Sequence, residues 1–501
     1  MWLTSILDRN RVRFPDALAL RDPRRDVTWE VMHRDVSALA AELARRADRD
    51  ARVVIVSGNR TEYFESYFAC VAAGLLAVPV NPSLTPVEFD YILSRVEPTL
   101  AIADPAGRAL LTAAGHGDLP ALPIEDVHLL PDAARPPERQ SLNPHFAILF
   151  TSATTGRPKG VLVDDRSLRL NALSWFADVP VDHETTLLHA CPLFHGSMVC
   201  ALHYLAAGAT VCVLDGFTPQ GCLTGLTKWR PQHAFFVPSM VRLLLQARGL
   251  ATTDLDDLRL VVHAAAPMPP DLAIEAAKVL DVDLETIYGI TEGGGPCLAL
   301  RPSDTPGNPP VPGATCVGQP MLGTAVRILR DDGEPADVGE IGEIHVAGDG
   351  VMLGYWRDDA ATAEVLRDGW LNTRDLGCVA HDGYVWVVDR RNDLILRGGQ
   401  NVYPAELEHV LRHSPQVADV AVVPAPSPIW GQVPVAFVQP TTPGGLDEAE
   451  LVDLCRTRLA SYKRPAHFVP VERVPRSPAG KILRQQLRQR AERLSDEGGP
   501  R

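Results

Sequence analysis

The segment Thr151-Ser152-Ala153-Thr154-Thr155-Gly156-Arg157-Pro158-Lys159-Gly160 directly follows the apolar run Phe146–Phe150. The apolar run predicts a short buried strand, and the segment after it combines small hydroxyl-bearing residues, two glycines and a lysine. Glycine lets the backbone approach phosphate oxygens, hydroxyl and N–H groups donate to them, and lysine supplies positive charge. The spacing differs from the GxxxxGK[ST] loop, because Lys159 precedes the last glycine. We therefore predict a polyphosphate-binding loop of another kind, with an ordinary polar surface loop as the alternative.

The composition of the whole chain is that of a globular protein. Its 501 residues are 46% hydrophobic and 22% charged, with a formal net charge of −14. This length predicts about three domain-sized units. The acidic balance argues against a nucleic-acid partner and against binding to an anionic membrane surface. The nine cysteines are scattered, odd in number and without a CxxC pair, which indicates a reduced, cytoplasmic protein rather than a disulfide framework or a zinc site.

Helix and strand patterns alternate over the first part of the chain. Residues 33–46 carry apolar side chains at helical spacing, Arg52–Val56 has the pattern of a strand, and the alternation continues to Leu100–Ala103. This order predicts mainly parallel sheets covered by helices on both faces. The longest apolar run, Tyr67–Val80, is too short to cross a bilayer, and the first ten residues lack a signal-peptide layout. We therefore expect no transmembrane segment.

The predicted secondary-structure pattern changes at two points along the chain. After a Pro/Gly-rich stretch over residues 301–313, the segments Gly342–Val346 and Tyr384–Val388 predict a small β-rich subdomain. The last hundred residues alternate strands and helices, and the charged segment Asp389–Arg397 precedes them. We predict an α/β fold in which a large N-terminal domain (residues 1–393), including the β-rich subdomain, is joined by a hinge to a small mobile α+β domain (residues 394–501).

Further motifs follow the loop along the chain. They are Tyr288-Gly289-Ile290-Thr291-Glu292, Gly342-Glu343-Ile344, Gly354-Tyr355-Trp356, Trp370-Leu371-Asn372-Thr373-Arg374-Asp375-Leu376, Asp389-Arg390, Arg397-Gly398-Gly399-Gln400-Asn401-Val402-Tyr403-Pro404 and Pro475-Arg476-Ser477-Pro478-Ala479-Gly480-Lys481-Ile482. Together with the loop, this set resembles the adenylate-forming superfamily, and within it most closely the acyl-CoA synthetases for fatty or aryl acids. The resemblance covers nearly the whole chain, and every motif stands in family order.

The resemblance implies a two-step ligase. A carboxylate would attack the α-phosphate of Mg·ATP to give acyl-AMP and pyrophosphate, and the thiol of CoA would then displace AMP. It implies Glu292 as the ligand of Mg²⁺ and Lys481 as a catalytic cation between the acid and the α-phosphate, with Thr291 and His195 as further catalytic residues. The residues implied for ATP are Thr151, Ser152, Thr154, Thr155, Gly156, Lys159, Ala265, Ala266, Tyr288, Gly289, Thr291, Asp375, Arg390 and Lys481.

Some of these roles have simple structural alternatives. Tyr288 would stack on adenine, and Asp375 would accept bonds from the ribose hydroxyls with Arg390 nearby. Taken singly, Tyr288 could instead be a core ring, Asp375 and Arg390 a surface ion pair, and Lys481 a solvated lysine. The ordered set of motifs favours the functional assignment.

The acid pocket implied by the resemblance is small and mainly apolar. Amino-acid-activating relatives carry an aspartate where His195 stands, and an unpaired buried ammonium would be costly, so an α-amino acid is disfavoured. We expect an aliphatic or aromatic acid. His195 would contact the acid or gate the CoA tunnel, with a purely structural histidine as the alternative. The implied lining is His195, Gly196, Met198, Phe236, Val237, Ala264, Ala265, Gly289 and Ile290.

The same resemblance implies a moving small domain. Asp393 matches the hinge position, and Gly398 with Gly399 matches the segment that lines the pantetheine tunnel. Several positions depart from the usual pattern: Ala153 and Arg374 replace glycines, Asp165 stands where histidine is common, and residues 426–432 lack the usual acidic pattern.

Other functions remain open at this stage. A stand-alone ligase could load the acyl or aryl group onto a carrier protein, and a rarer branch of the superfamily activates nitrite to diazotise an aromatic amine. A non-catalytic nucleotide-binding relative would be expected to lack Lys481 or Glu292, and both are present. The partners that the resemblance implies are a small carboxylic acid and CoA or a carrier protein. The oligomeric state is open, with a homodimer as one arrangement.

Overall fold

Three β-sheets organise the protein in a computed structural model, which describes residues 2–136, 145–151, 158–398, 400–442, 444–477 and 480–497. The first part of the chain alternates helices and strands: α1 (Trp2–Arg13), β1 (Leu18–Arg21), β2 (Asp26–Thr28), α2 (Trp29–Arg46), β3 (Arg52–Val56), α3 (Thr61–Ala73), β4 (Leu76–Val80), α4 (Pro86–Val96), β5 (Leu100–Ala103), α5 (Pro105–Ala113), β6 (Ala121–Pro123), β7 (His145–Thr151), β8 (Lys159–Asp164) and α6 (Asp165–Asp178).

The alternation continues through the middle of the chain. Its elements are β9 (Thr186–His189), α7 (Ser197–Ala207), β10 (Thr210–Val213), α8 (Pro219–Trp229), β11 (His233–Phe236), α9 (Pro238–Leu245), β12 (Leu260–His263), α10 (Pro270–Leu280), β13 (Asp283–Ile290) and β14 (Gly295–Leu300).

Strands dominate the next part, and the chain ends in an α+β unit. The elements are β15 (Thr315–Pro320), β16 (Thr324–Leu329), β17 (Gly342–Gly348), β18 (Gly354–Tyr355), α11 (Asp359–Val365), β19 (Leu366–Arg367), β20 (Trp370–Val379), β21 (Val385–Arg390), β22 (Ile395–Arg397), β23 (Gln400–Val402), α12 (Pro404–Leu411), β24 (Val417–Ser427), β25 (Gly431–Pro440), α13 (Glu448–Arg458), β26 (His467–Pro470) and α14 (Arg484–Glu497).

Parallel strands form the centre of the two larger sheets. One has the order β18-β8-β7-β4-β3-β5-β6, and the other runs through β14-β13-β12-β11-β9-β10-β1. The pairs from β9 to β13 are parallel, so the carboxyl ends of these strands meet at one edge, where ligands bind in open α/β sheets. The α/β fold class is confirmed.

The β-rich region is continuous with the second of these sheets. Strand β14 pairs with β15, and β15 pairs with β21, so β16, β17, β20 and β21 extend the same sheet. In the other large sheet, the edge strand Ala121–Pro123 pairs in parallel with β5. The β-rich subdomain is therefore an antiparallel extension of a parallel sheet.

Local sequence signals explain where several helices begin. Thr85 and Glu88 form a reciprocal capping box with Pro86 in the first turn of α4, an arrangement that satisfies N–H groups left free at a helix start. Large side chains then fill the interior, with Trp29, Trp175 and Tyr63 all fully buried.

The C-terminal elements have a sheet and apolar clusters of their own. Strands β23-β22-β25-β24 form the sheet with β26 beside β25, and two buried clusters lie on residues between 395 and 491. This organisation supports a domain boundary between residues 393 and 394, and that boundary remains a proposal. None of the helices in the described ranges is long and apolar enough to cross a membrane.

Candidate active site

Three polar side chains from β13, β20 and β21 contact one another. The Tyr288 hydroxyl donates to Asp375 Oδ2 at 2.7 Å, and Arg390 Nε lies 3.3 Å from Asp375 Oδ1. Asp375 and Arg390 are direct partners in the β20–β21 register. Burial, together with the charge of Asp375, raises the pKa of Tyr288 well above its usual value. The structure thus brings the three residues predicted for adenine and ribose into one hydrogen-bonded group.

A second group joins Lys159 and Glu292 through one aromatic ring. Glu292 lies in a short 3₁₀ turn over Thr291–Gly293, directly after β13. Its Oε1 accepts a hydrogen bond of 3.0 Å from the Tyr355 hydroxyl, and Lys159 Nζ lies 5.0 Å from the centroid of the same tyrosine ring. One buried tyrosine therefore contacts both a candidate phosphate lysine and the candidate magnesium ligand.

Lys481 reaches this cleft from the C-terminal part of the chain. Its side chain stays open to solvent, yet the cleft walls displace enough water to lower its pKa to about 8. The charge of Arg390 acts in the same direction, while Asp375 and Glu292 favour the protonated form. Lys481 is thus close enough to respond to the cation of the ribose cluster and to both carboxylates.

Gly480 fixes how closely the Lys481 loop approaches the large domain. It has φ +78°, and a Cβ placed on it would lie 2.6 Å from Ser239 Oγ and 3.1 Å from Val237 Cγ2. Since real Cβ atoms do not approach side-chain oxygens at 2.6 Å, only glycine fits there without a shift. The loop is packed against the β11–α9 connection.

Two of the segments predicted for the acid pocket lie side by side. A Cβ on Gly196 would lie 3.8 Å from Thr291 Oγ1, so the start of α7 faces the end of β13. Burial, with a smaller contribution from the charge of Lys481, lowers the pKa of His195 to about 4. His195 is therefore a neutral imidazole near the lysine. Met198, Phe236 and Val237 are buried, whereas Ala264 and Ile290 are partly buried.

The backbone is unusual at two predicted nucleotide positions. Ala265 has φ +73°, a left-handed conformation that L-residues seldom adopt, and such conformations cluster at functional sites. Its neighbour Ala266 is half-buried. Gly289 packs against β14, where a Cβ would lie 2.1 Å from the Gly295 carbonyl oxygen.

Only the two ends of the opening motif lie within the described residues. Thr151 ends β7 and pairs with Lys159 at the start of β8. Ser152, Thr154, Thr155 and Gly156 lie outside the described residues, as does Ala153. Their assignment to phosphates stays a prediction.

The residues present fit a magnesium ion that is shared with phosphates. Within the described residues, no cluster of three or more His, Cys, Asp or Glu side chains could hold a metal by itself. Glu292 offers one carboxylate beside Thr291, and Mg²⁺ usually takes one or two carboxylates together with substrate phosphates and water.

Comparisons with known proteins decide the family. The model described as "AMP-binding enzyme" matches residues 7–356. The chain belongs to the family of AMP-binding enzymes. The model "AMP-binding enzyme C-terminal domain" matches residues 406–481, which include Lys481.

Relatives match this AMP-binding enzyme over nearly its full length. A feruloyl-CoA synthase from Amycolatopsis sp is 35% identical, covering 95% of this chain and 96% of its own. The fatty acid–[acyl-carrier-protein] ligase ScoC from Streptomyces coeruleorubidus is 34% identical, covering 93% and 92%. Among solved structures, ATP-bound MatB from Rhodopseudomonas palustris has a TM-score of 0.89 at 27% identity, covering 98% of this chain and 99% of that one.

The predicted hinge of the AMP-binding enzyme is tied to its last helix. Asp393 pairs with Arg484 at 3.3 Å and with Arg488 at 2.5 Å, and its own N–H donates to the Arg390 carbonyl at 2.9 Å. Arg484 also pairs with Glu408 at 2.7 Å. Burial raises the pKa of nearby Asp389 to about 7. Helix α14, which follows Lys481 in the chain, is thus tied by ion pairs to Asp393, the predicted hinge residue.

The predicted tunnel segment lies beside an aromatic side chain. The Gly398 N–H donates to the Trp430 carbonyl at 2.7 Å, and Arg397 lies 5.7 Å from the Trp430 ring centroid. Gly399 lies outside the described residues. Trp430 and Ile429 remain largely exposed.

Two of the departures from the family pattern have structural explanations. Both carboxylate oxygens of Asp165 accept from the Trp2 N–H, at 2.8 and 3.0 Å, so Asp165 anchors the first helix. Arg374 has φ +60°, its N–H donates to Asn372 Oδ1, and its guanidinium lies 3.2 Å from Glu364. A position that favours glycine therefore carries an arginine beside Asp375.

The sequence assigned no role to three residues that the structure places in the site. Tyr355 stood within a quoted motif, Trp430 lay in the range 426–432 that departs from the family pattern, and Ser239 was not named. The motif Gly354-Tyr355-Trp356 was the available signal for Tyr355, whereas nothing in the sequence pairs Ser239 with Gly480.

Proposed function

We propose that this AMP-binding enzyme is an acid–CoA ligase: it joins a carboxylic acid to AMP at the expense of Mg·ATP and then transfers the acyl group to CoA. The observation that carries the proposal is the convergence of Lys481 on the Tyr288–Asp375–Arg390 group, with Glu292 and His195 beside it. One cleft therefore holds candidate partners for the ribose, for the metal, for the α-phosphate and for the acid.

The chain's own residues fit the first step. Asp375 and Arg390 would position the ribose, with Tyr288 against the adenine, and Mg²⁺ held at Glu292 would neutralise phosphate charge. Lys481, protonated, would lie where negative charge develops on the α-phosphate as the acid oxygen attacks. Removing such a preorganised contact typically costs about 3–4 kcal/mol of transition-state stabilisation.

The second step requires access for a thiol. The small domain, which we place at residues 394–501, would turn about Asp393, withdraw Lys481 and bring Gly398 and Gly399 towards the acyl group. The ion pairs of Asp393 with Arg484 and Arg488 would have to open in that turn, because they hold the described arrangement.

The pocket favours an acid without a second charge. Its neutral His195 and apolar neighbours Met198, Phe236 and Val237 offer no ion partner, and burying an unpaired charge would be costly. A feruloyl-CoA synthase and a fatty acid ligase both resemble the chain over most of its length. We propose an aryl or aliphatic monocarboxylic acid.

Transfer to a carrier protein is the second candidate function. ScoC, a fatty acid–[acyl-carrier-protein] ligase, is 34% identical. In this case the thiol would belong to a carrier-bound pantetheine arm, while the first step would be unchanged.

Pyrophosphate release with Mg·ATP against a panel of aliphatic acids, aromatic acids and nitrite, each with and without CoA, tests the proposal. We expect CoA-dependent turnover on a carboxylic acid. Pyrophosphate release at the same rate with and without CoA would favour a carrier protein as the acceptor. Release with nitrite alone would favour the diazotising branch. No release with any acid would contradict the assignment.

A further inference from the structure

A short strap over residues 352–356 connects the two halves of the candidate triphosphate site. At one end, the Met352 N–H donates to the Glu292 carbonyl at 2.8 Å. At the other, the Trp356 N–H donates to the Gly160 carbonyl at 2.7 Å, and Gly354 and Tyr355 pair with β8. The strap is therefore bound to the backbone of Glu292 and to that of the residue next to Lys159.

The side chain of Tyr355 makes the same connection again. Its hydroxyl donates to Glu292 Oε1, and its ring face lies 5.0 Å from Lys159 Nζ. A hydrogen bond to a carboxylate is stronger than one between neutral groups and fixes the carboxylate plane. A cation over an aromatic face is attracted by the ring quadrupole. One rigid side chain thus restrains an anion and a cation together.

Tyr355 is itself held firmly. Its N–H donates to Thr362 Oγ1 at 2.9 Å, and the following Trp356 donates through Nε1 to the Arg95 carbonyl at 3.2 Å. Tyr355 is 7% exposed. Strand pairing, helix α11 and helix α4 thus hold the backbone around Tyr355, and burial restricts its ring, so Lys159 and Glu292 contact a side chain of restricted position.

We propose that Tyr355 is a positioning residue that sets the geometry between Lys159 and Glu292, so that one triphosphate meets the lysine while its Mg²⁺ meets the glutamate. This inference rests on the proposed function, because it takes the ligand to be Mg·ATP. The two contacts of Tyr355 are separable by substitution: Tyr355→Phe keeps the ring and removes the hydrogen bond, and Tyr355→Leu removes both.

Calorimetric titration with ATP, with and without Mg²⁺, measures the two contacts independently of turnover. For Tyr355→Phe we expect the affinity for ATP without Mg²⁺ to stay within about 2-fold of wild type. The factor by which Mg²⁺ raises the affinity for ATP should fall about 10-fold, as is usual when a hydrogen-bond partner of a metal ligand is lost. For Tyr355→Leu we expect an additional loss of about 2- to 5-fold in ATP affinity without Mg²⁺.

Tyr384→Phe serves as the matched control, because it removes a phenol from a half-buried position directly before β21, outside the site. Thermal unfolding of each variant separates a damaged fold from a displaced ligand. An unchanged Mg²⁺ dependence in Tyr355→Phe would overturn the inference, and so would equal losses in both variants with and without the metal. Failure of the wild-type protein to bind ATP would overturn the proposed function, and this inference with it.

Discussion

The substitution Gly480→Ala should selectively impair the step in which Lys481 acts. The added methyl would lie 2.6 Å from Ser239 Oγ and 3.1 Å from Val237 Cγ2, both in the large domain. Because the Ser239 hydroxyl can rotate away, we take the lower end of the range for overpacking, about 1 kcal/mol, so the closed arrangement should become about 5-fold less populated. The clash exists only while the small domain is closed.

Two half-reactions measure the effect, each with an acid that supports pyrophosphate release. ATP–pyrophosphate exchange reports acyl-AMP formation, and single-turnover thioester formation from prepared acyl-AMP reports the second step. We expect exchange to fall by the factor above and thioester formation to stay within about 2-fold of wild type.

A matched control and a second-site change isolate the steric cause. Gly444 has φ +73° with no atom within 4 Å of an added Cβ, so Gly444→Ala imposes a similar backbone strain without the clash. Ser239→Ala combined with Gly480→Ala should recover part of the lost exchange, because the nearest atom is gone. Equal loss of both half-reactions, or no recovery in the double variant, would refute the reasoning.

Three further predictions concern Lys481, Arg374 and the hinge. Displacement of water by the surrounding residues, together with the charge of Arg390, lowers the pKa of the exposed Lys481 side chain to about 8. Because the charged form is the active one, kcat/KM for ATP should fall as the pH rises through about 8. Lys481→Arg should shift this fall to higher pH, and an unshifted profile would contradict the assignment. Arg374→Gly should leave the free energy of unfolding unchanged or raise it by up to about 1 kcal/mol, because glycine adopts the left-handed conformation of this position without strain. Arg327→Gly, in the extended strand β16, should instead lower the free energy of unfolding by about 0.5–1 kcal/mol. Denaturant unfolding compares the two variants, and equal losses of stability would contradict the strain argument. Arg488→Met should lower exchange about 3- to 10-fold by removing the ion pair with Asp393, while Arg493→Met, on the same helix and exposed, should match wild type. Asp393→Pro should still impair thioester formation more than acyl-AMP formation, but it also removes the N–H bonded to the Arg390 carbonyl, so Arg488→Met is the cleaner test.

Much of the fold was predictable because its signals are local. The apolar run before the phosphate motif forms β7, Arg52–Val56 is the strand β3, and the alternation of helices and strands produces parallel sheets. The carboxyl ends of parallel strands share one edge, so residues after β9, β12 and β13 meet there. Tyr288, Glu292 and His195 come together for this reason.

The contacts that set the geometry of the site were not predictable. Tyr355 with Lys159, Gly480 with Ser239, and Asp165 with the Trp2 N–H each join residues that lie far apart in the sequence. Tertiary packing decides such pairs, and no periodicity or spacing encodes them. The continuity of the β-rich region with the parallel sheet likewise depends on one strand pair, β14 with β15.

Transfer of an oxygen label tests the central claim most directly. The protein would be given Mg·ATP, CoA and an acid that supports pyrophosphate release, with both carboxylate oxygens replaced by ¹⁸O. If the carboxylate attacks the α-phosphate and CoA then displaces AMP, each AMP must carry one ¹⁸O, and mass spectrometry should find equal amounts of labelled AMP and acyl-CoA. Unlabelled AMP, or ADP with phosphate as products, would contradict the account.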